Sequence, residues 1–147
     1  MPEATLHRGL THLQAAEFLY ETRLFPEPEY TFKHALTHEV AYNSLLLERR
    51  RVLHARLVEA FEALAPERGT AGASGAQGLA AGKPGTDQVE RLAHHALRGE
   101  VWDKAVAYCQ QAGARAWDRG AFREAVSSFE QALQALAYLS ELSLIHI

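Results

Sequence analysis

The sequence predicts a mostly α-helical fold, in which a partial winged-helix-like module with one β-hairpin precedes a helical solenoid. Three observations support this prediction. An apolar pattern that begins at Trp102 repeats twenty positions later, from Phe122. Aromatic and β-branched residues flank Pro26 and Pro28, as in a hairpin with an irregular turn. A stretch rich in glycine and alanine, residues 66–86, separates the two patterns.

Composition restricts the class of protein. The chain has 147 residues, of which 48% are hydrophobic and 22% charged, and this balance is typical of a globular protein. A formal charge of −3 gives no general attraction to nucleic acid or to anionic membranes. No apolar run approaches the roughly 20 residues of a membrane span, and the first residues do not resemble a signal peptide. The default expectation is a cytoplasmic protein without membrane contact.

Residues 1–64 predict the winged-helix-like module, element by element. Leu6, Leu10 and Leu13 are spaced as one stripe of a helix from Glu3 to Ala16. Residues 18–34 alternate around the two prolines and predict the hairpin. Apolar spacing then predicts helices over residues 35–47 and 48–64. In this order of elements, the first helices of a winged helix are missing.

The remainder of the chain divides into a linker, repeat helices and a tail. Residues 65–86 carry almost no large apolar side chain, which predicts a flexible Gly/Ala-rich linker. Asp87 is the expected N-cap of a helix that Gly99 ends, and helical repeats continue to residue 139. Residues 140–147 leave the apolar stripe and form an atypical tail. We therefore expect a piece of a longer protein.

The repeat itself predicts two helices joined by Asp118, Arg119 and Gly120. Each helix has an apolar stripe, expected to be buried against neighbouring helices, with Phe129 near the centre of the second stripe. The single cysteine lies on the first stripe, which excludes a disulfide framework within the chain. The two sets are Trp102, Ala105, Val106, Cys109, Ala112, Gly113 and Ala116, and Phe122, Ala125, Val126, Phe129, Ala132, Leu133 and Leu136.

Two histidines are the first candidates for chemistry. His34 and His38 are four residues apart and could share a helix face as zinc ligands. The metalloprotease pattern needs Glu directly after the first histidine, where Ala35 stands, and the inverted pattern needs Glu where Thr37 stands. No third ligand is indicated. We predict no metal site, and interpret both histidines as packing against the hairpin.

A glycine-rich segment is the second candidate. Residues 78–84, GLAAGKP, resemble a phosphate-binding loop, but the spacing is one residue short. Pro84 replaces the Ser or Thr that would bind magnesium, and no strand precedes the segment. It is expected to be linker, so no cofactor-binding residue is predicted. We also find no nucleophile and base pattern, and therefore predict no catalytic residue.

Basic residues are the third candidate. Arg49, Arg50 and Arg51, with Arg56, form the strongest basic cluster and could contact phosphates in a winged helix. Against this, Glu27 and Glu29 make the hairpin tip acidic, and residues 1–64 carry a net negative charge. A solvated face or an intramolecular contact is the preferred interpretation, and we expect no nucleic-acid partner.

Three segments carry resemblances to known families. Residues Gly120 to Leu133, GAFREAVSSFEQAL, look like the second half of a tetratricopeptide repeat. Residues Tyr30 to Tyr42 and Leu46 to His54 resemble a segment of large bacterial signal-transduction ATPases, including predicted ATPases fused to class III adenylate cyclase domains and large LuxR-type activators. The resemblance implies a parent protein with an AAA-like ATP-binding domain, a winged-helix-like module and tetratricopeptide repeats.

The resulting interpretation is a non-catalytic regulatory and protein-interaction segment. The resemblance implies ATP and magnesium in the parent protein, with no cofactor in this segment, and partners that are other domains of the parent or further proteins. A different class of function stays open: a DNA-binding winged-helix transcriptional regulator with a helical effector domain. A small enzyme that uses the histidines ranks last.

Overall fold

A computed structural model describes residues 2–24, 28–64 and 86–145, and its contacts divide the chain into two compact units. The first unit is Met1–Leu46 and the second is Leu47–Ile147. The described residues form six helices and one two-stranded antiparallel sheet, so the predicted mostly helical fold with a single hairpin is confirmed. The predicted linker, residues 65–86, lies outside the described residues except for Thr86.

The first unit follows the predicted order of helix, hairpin and helix. It consists of α1 (Glu3–Ala15), β1 (Leu19–Arg23), β2 (Glu29–Phe32) and α2 (Ala35–Asn43). The strands pair with Leu19 opposite Phe32 and Glu21 opposite Tyr30, and the register shifts between Glu21 and Arg23. The α2 helix ends before the predicted Leu47, because the chain turns at Ser44, whose hydroxyl donates a 2.7 Å hydrogen bond to the carbonyl of Ala41.

The second unit is a series of four helices, each packed against the next. These are α3 (Leu47–Leu64), α4 (Thr86–Arg98), α5 (Trp102–Asp118) and α6 (Phe122–Ile145). The sequence placed α3 in the N-terminal module, whereas contacts group it with the helices that follow. The α4 helix already begins at Thr86, so Asp87 lies in its first turn and is not the N-cap. Its carboxylate there still favours the positive end of the helix dipole.

Three helices end in the same backbone motif. The amides of Phe18, Val101 and Ala121 donate to the carbonyls five residues earlier, at 2.9, 3.0 and 2.9 Å. The motif requires one residue with positive φ, which is Glu17 (62°), Glu100 (54°) and Gly120 (76°). Only the third is the expected glycine. Gly99 has a different role, since a Cβ there would lie 2.7 Å from the backbone nitrogen of Ala55 in α3.

The core of the second unit consists largely of alanine. One buried cluster joins all four helices, and a second joins α4, α5 and α6. Small side chains let helix backbones approach closely. The core therefore contains little side-chain volume, although four helices contribute to it. The two clusters are Val58, Leu92, Ala96, Ala105 and Ala135, and Ala93, Cys109 and Ala132.

The two repeated stripes are buried to different degrees. In α5, the predicted stripe is buried at its small residues, and Cys109 is completely inaccessible. In α6, Ala125 and Ala132 are buried, but the large apolar residues of the stripe are exposed. The expectation that Phe129 is buried is wrong, because its side chain is 38% exposed while its ring edge covers Gly113.

The tail differs from the prediction in its secondary structure. The α6 helix continues through the predicted boundary at residue 140 and ends at Ile145. Leu142, Leu144 and Ile145, which lie off the stripe, are also exposed. Among the described helices, none is both long enough and apolar enough to cross a membrane.

Candidate interaction surfaces and side-chain clusters

A cleft lies between α4, α5 and α6, with a volume of about 390 Å³. Its apolar floor is Ala112 and Ala116 of α5. Polar side chains form the walls: Glu90, Arg123, Glu124, Ser127 and Ser128. Both signs of charge are present, which suits binding of a polar or mixed-charge peptide segment better than binding of a polyanion.

One arginine connects two walls of this cleft. The Arg119 guanidinium lies 2.9 Å from a carboxylate oxygen of Glu124 and 3.5 Å from one of Glu90. These pairs are partly exposed, so each contributes little stability. The two ion pairs instead help to position the helices, because the Arg119 side chain contacts a residue near the start of α4 and another near the start of α6.

A histidine cluster joins α3 to α4. The Nδ1 atoms of His54 and His95 lie 2.9 Å apart, and the ring of His94 approaches both. At this distance one nitrogen must donate and the other accept, so a doubly protonated pair is excluded. On the other side of His95, Phe61 stacks on its ring at 5.9 Å, and the Arg91 guanidinium lies 5.6 Å from the Phe61 centroid.

Burial and neighbouring charges disfavour protonation of His54 and His95. Burial lowers the pKa of His95 to about 4, and the neighbouring His54, His94 and Arg91 add to the effect. Burial, with His94 and Arg98, also lowers the pKa of His54. A neutral imidazole pair at neutral pH serves as a packing contact between helices.

A second polar cluster joins α3 to α5. The Glu62 carboxylate accepts hydrogen bonds from Lys104 Nζ at 2.6 Å and from the Tyr108 hydroxyl at 2.5 Å. Burial alone would raise the pKa of Glu62, but these two hydrogen bonds lower it overall. Burial and the bond to Glu62 raise the pKa of Tyr108 to about 12. The carboxylate therefore stays ionised and connects two helices.

The predicted zinc candidates do not converge. His34 precedes α2 with extended backbone, and His38 lies one turn into the helix, where its ring contacts Phe32 at 5.2 Å and Tyr42 at 6.2 Å. The contact with Phe32 agrees with the interpretation of His38 as packing against the hairpin. Within the described part of the chain, no group of three or more possible ligands is placed to bind a metal ion.

One arginine of the basic cluster, Arg51, makes intramolecular ion pairs. The Arg51 guanidinium pairs with Glu48 at 3.4 Å and with Glu100 at 2.9 Å. The second pair lies across the point where α3 and α4 approach at Gly99. The phosphate-loop-like segment, residues 78–84, lies outside the described residues.

Sequence reasoning missed both polar clusters. His54 and His95 are 41 residues apart, and Glu62 lies 42 and 46 residues from its two partners. One signal was available: His54, Val58 and Phe61 follow the spacing of one helix face, which marks His54 as a buried polar residue in need of a partner.

Comparisons with known proteins give one distant relative. No family model matches the chain, and no solved structure matches it. An uncharacterized protein of Rhizobium meliloti (strain 1021) is 33% identical over 124 residues, which cover 84% of this chain. The same alignment covers 10% of that protein, so the chain spans about a tenth of the length of the relative it matches.

Proposed function

We propose that this chain is a non-catalytic regulatory and protein-interaction segment of a much longer ATP-binding signalling protein. In this proposal, α3 to α6 are tetratricopeptide-like repeats, and the first unit is part of a winged-helix-like module. The proposed parent protein is of the class that the resemblance of residues 30–42 and 46–54 implies, the predicted ATPases fused to class III adenylate cyclase domains. The proposal places ATP and magnesium in the parent, with no residue of this chain assigned to them.

The observation that carries the proposal is the uncovered apolar face of α6. Its side chains are spaced 4, 3, 4 and 3 residues apart, so they form one continuous stripe along the helix. They are 38–67% exposed, and contiguous apolar exposure of this kind marks an interaction surface. The stripe consists of Phe122, Val126, Phe129, Leu133 and Leu136.

The opposite side of α6 indicates what covers the stripe. Ala125, Ala132 and Ala135 pack α6 onto the preceding helices, mainly α5. A further helix pair added in the same manner would cover the large side chains on the free side, because solenoid repeats bury their apolar faces against neighbours. Trp117 extends the same surface, since its exposed ring contacts Phe122 at 5.0 Å.

The length of the relative supports the same proposal. The aligned region is about a tenth of a protein from Rhizobium meliloti, so in that protein the matching residues are one segment among many. The polar clusters described above are consistent with a non-catalytic role, because their groups pair with one another between helices and hold α3, α4 and α5 together.

The test extends the chain at its C-terminus by about 34 residues of its own reading frame, the length of one repeat. We expect the chain alone to scatter light as oligomers and to bind an apolar fluorescent dye, and the extended chain to be monomeric with less dye binding. Leu133→Lys in the chain alone should reduce oligomers and dye binding, whereas Gln134→Lys, beside it on the helix, should not.

Three outcomes would contradict the proposal. An extended chain with unchanged oligomers and dye binding would show that no repeat covers α6. ATP hydrolysis by the chain alone would place chemistry in this segment. A monodisperse monomer that binds duplex DNA at nanomolar concentration, with strong salt dependence, would favour the transcriptional regulator instead.

A further inference from the structure

The first unit contains an apolar groove of about 580 Å³, formed by α1, the hairpin and α2. Its walls include Leu13 of α1, Phe18 and Phe32 at the hairpin, and Leu36 and Val40 of α2. Among the described residues that line it, Thr37 is the one polar residue. Leu36 is 68% exposed and Val40 is 62% exposed, so the groove opens to solvent.

No described residue of this unit, in the ranges 2–24 and 28–46, is buried. A unit of this size normally has too little core to fold alone, and an isolated hairpin is marginally stable in water. Here the apolar side chains already face one concavity, but no described residue of the unit fills it. Apolar side chains of the unit therefore line a groove, but none of the described residues forms a buried core.

The lining favours a helix as the occupant. An extended peptide would bring unpaired backbone N–H and C=O groups into the groove, where the described lining offers one polar side chain, Thr37, to bond them. A helix bonds its own backbone groups and presents apolar side chains at i, i+3, i+4 and i+7. A volume of about 580 Å³ holds several such side chains, which corresponds to about two helical turns.

Symmetry disfavours a second copy of this chain. Two copies joined through the same face would bring one concave groove against another, which leaves both unfilled. If a different face of the second copy filled the groove, the contact would be heterologous and would propagate into open assemblies unless it closed in a ring. A helix of the same polypeptide needs neither arrangement. The matching residues of the relative are about a tenth of its length, so a polypeptide of that size has ample chain to supply one.

We propose that this groove holds an amphipathic helix contributed by the same polypeptide, which completes the core of the first unit. The proposal rests on two premises of the proposed function: a longer protein, and a first unit that is only part of a winged-helix-like module. It concerns α1, the hairpin and α2, and does not depend on what covers α6 or on whether the parent binds ATP.

Hydrogen exchange with mass spectrometry tests it, on the chain as it is and on a chain extended on both sides by its own reading frame. In the chain alone, amides of α1 and α2 should exchange about as fast as in an unfolded peptide, while those of α5 are protected. In the extended chain, protection of α1 and α2 should rise at least about 10-fold. Protection of α5 in the same samples reports that the second unit is folded.

A pair of matched variants locates the effect. Val40→Asp in the extended chain should remove the gain in protection, because it places a carboxylate in the groove. Leu46→Asp should leave the gain unchanged, since Leu46 is also an exposed apolar residue of this unit but is not among the groove residues.

Four results would overturn the proposal. These are strong protection of α1 and α2 in the chain alone, no gain on extension, and equal effects of the two variants. The fourth is a gain that depends on protein concentration together with a dimer in sedimentation, which would identify a second copy as the occupant. Because these readouts come from α1 and α2, failure here would leave the α6 test of the proposed function unaffected.

Discussion

The two units use apolar residues in opposite ways. The first unit carries leucine, phenylalanine and valine on facing elements, but none of its described residues is buried. The second unit buries a core made mostly of alanine, and its largest fully buried side chains are Val58 and Cys109. The size of the apolar side chains therefore does not decide which unit has a core.

The distance between the backbones of neighbouring elements decides which unit has a core. Ala96, Ala105 and Ala135 are completely inaccessible because successive helices of the second unit pack at short range. In the first unit the elements surround a groove, which their large apolar side chains line. A Cβ added to Gly9 of α1 would meet nothing within 4 Å, whereas at Gly99 it would meet backbone.

The most direct test of this comparison replaces Gly99 and Gly9, in turn, with alanine. Gly99→Ala should destabilise the second unit by about 3 kcal/mol, because its Cβ would lie 2.7 Å from the nitrogen and 3.0 Å from the Cα of Ala55, and backbone cannot move aside locally. Urea unfolding followed by tryptophan fluorescence measures this, since both tryptophans lie in α5.

The control is Gly9→Ala. No atom of the described residues lies within 4 Å of a Cβ at this position, and alanine favours a helix, so helix content should stay equal or rise slightly, with a gain of up to about 1 kcal/mol in α1. If the two substitutions had the same effect, close packing at Gly99 would not distinguish the units.

The next test contrasts a small and a large residue within α6. Ala125→Leu should cost about 2–3 kcal/mol, because Ala125 is completely buried and the added atoms have no space. Leu133→Ser should change the free energy of unfolding by less than about 0.5 kcal/mol in dilute monomer, because the side chain is 67% exposed. A larger loss of stability for Leu133→Ser than for Ala125→Leu would contradict the finding that α6 buries its alanines and exposes its large apolar side chains.

Acid provides a third test, directed at the contact between α3 and α4. Burial lowers the pKa of His95 to about 4, and that of His54 is lowered as well, from an ordinary value of 6.5. Below pH 6.5 the unfolded chain therefore binds more protons than the folded chain. Stability from this contact is complete above about pH 6.5 and is lost as the pH falls toward 4, by on the order of 1–2 kcal/mol.

The measurement is the urea midpoint of tryptophan fluorescence at pH 7.5 and at pH 4.5. Because His94, Arg91 and Arg98 add positive charge around the pair, His95→Gln should flatten the difference between the two pH values. His12→Gln is the control, since His12 lies on the exposed surface of α1 and should leave the difference unchanged. An undiminished acid loss in His95→Gln would assign it to other groups.

Local patterns were sufficient to predict much of the fold. The 3.6-residue spacing predicted α1, α3, α4 and α5 to within one or two residues, and alternation around the prolines predicted the hairpin. The end of α2 and the length of α6 were less accurate, since helix ends depend on single turns and contacts. Burial on α6 could not be derived, because periodicity assigns a stripe to a helix without identifying which part of it meets a neighbour.

The side-chain clusters were beyond sequence reasoning for a related reason. His54 with His95, and Glu62 with Lys104 and Tyr108, are pairs between helices, and their meeting depends on the offset between α3, α4 and α5. Close contacts such as that of Gly99 with Ala55 determine this offset, and they produce no periodic pattern in the sequence. His34 and His38 had a regular spacing, but within the described ranges it did not bring further ligands to them.

The smallest expected effect concerns the hydrogen bond between Tyr108 and Glu62. Tyr108→Phe should cost about 1 kcal/mol, because Glu62 keeps its bond to Lys104 and loses one donor. Tyr20→Phe, at an exposed position of the hairpin, should have no measurable effect.

Absorbance near 295 nm gives an independent readout of the same hydrogen bond. One tyrosine should ionise near pH 12 in the chain and at lower pH in Glu62→Gln. Since the folded state holds this proton more tightly than the unfolded state, the contribution should disappear as the pH rises from 10 toward 12. If all tyrosines ionised together near pH 10, the Tyr108 contact between α3 and α5 would be absent in solution.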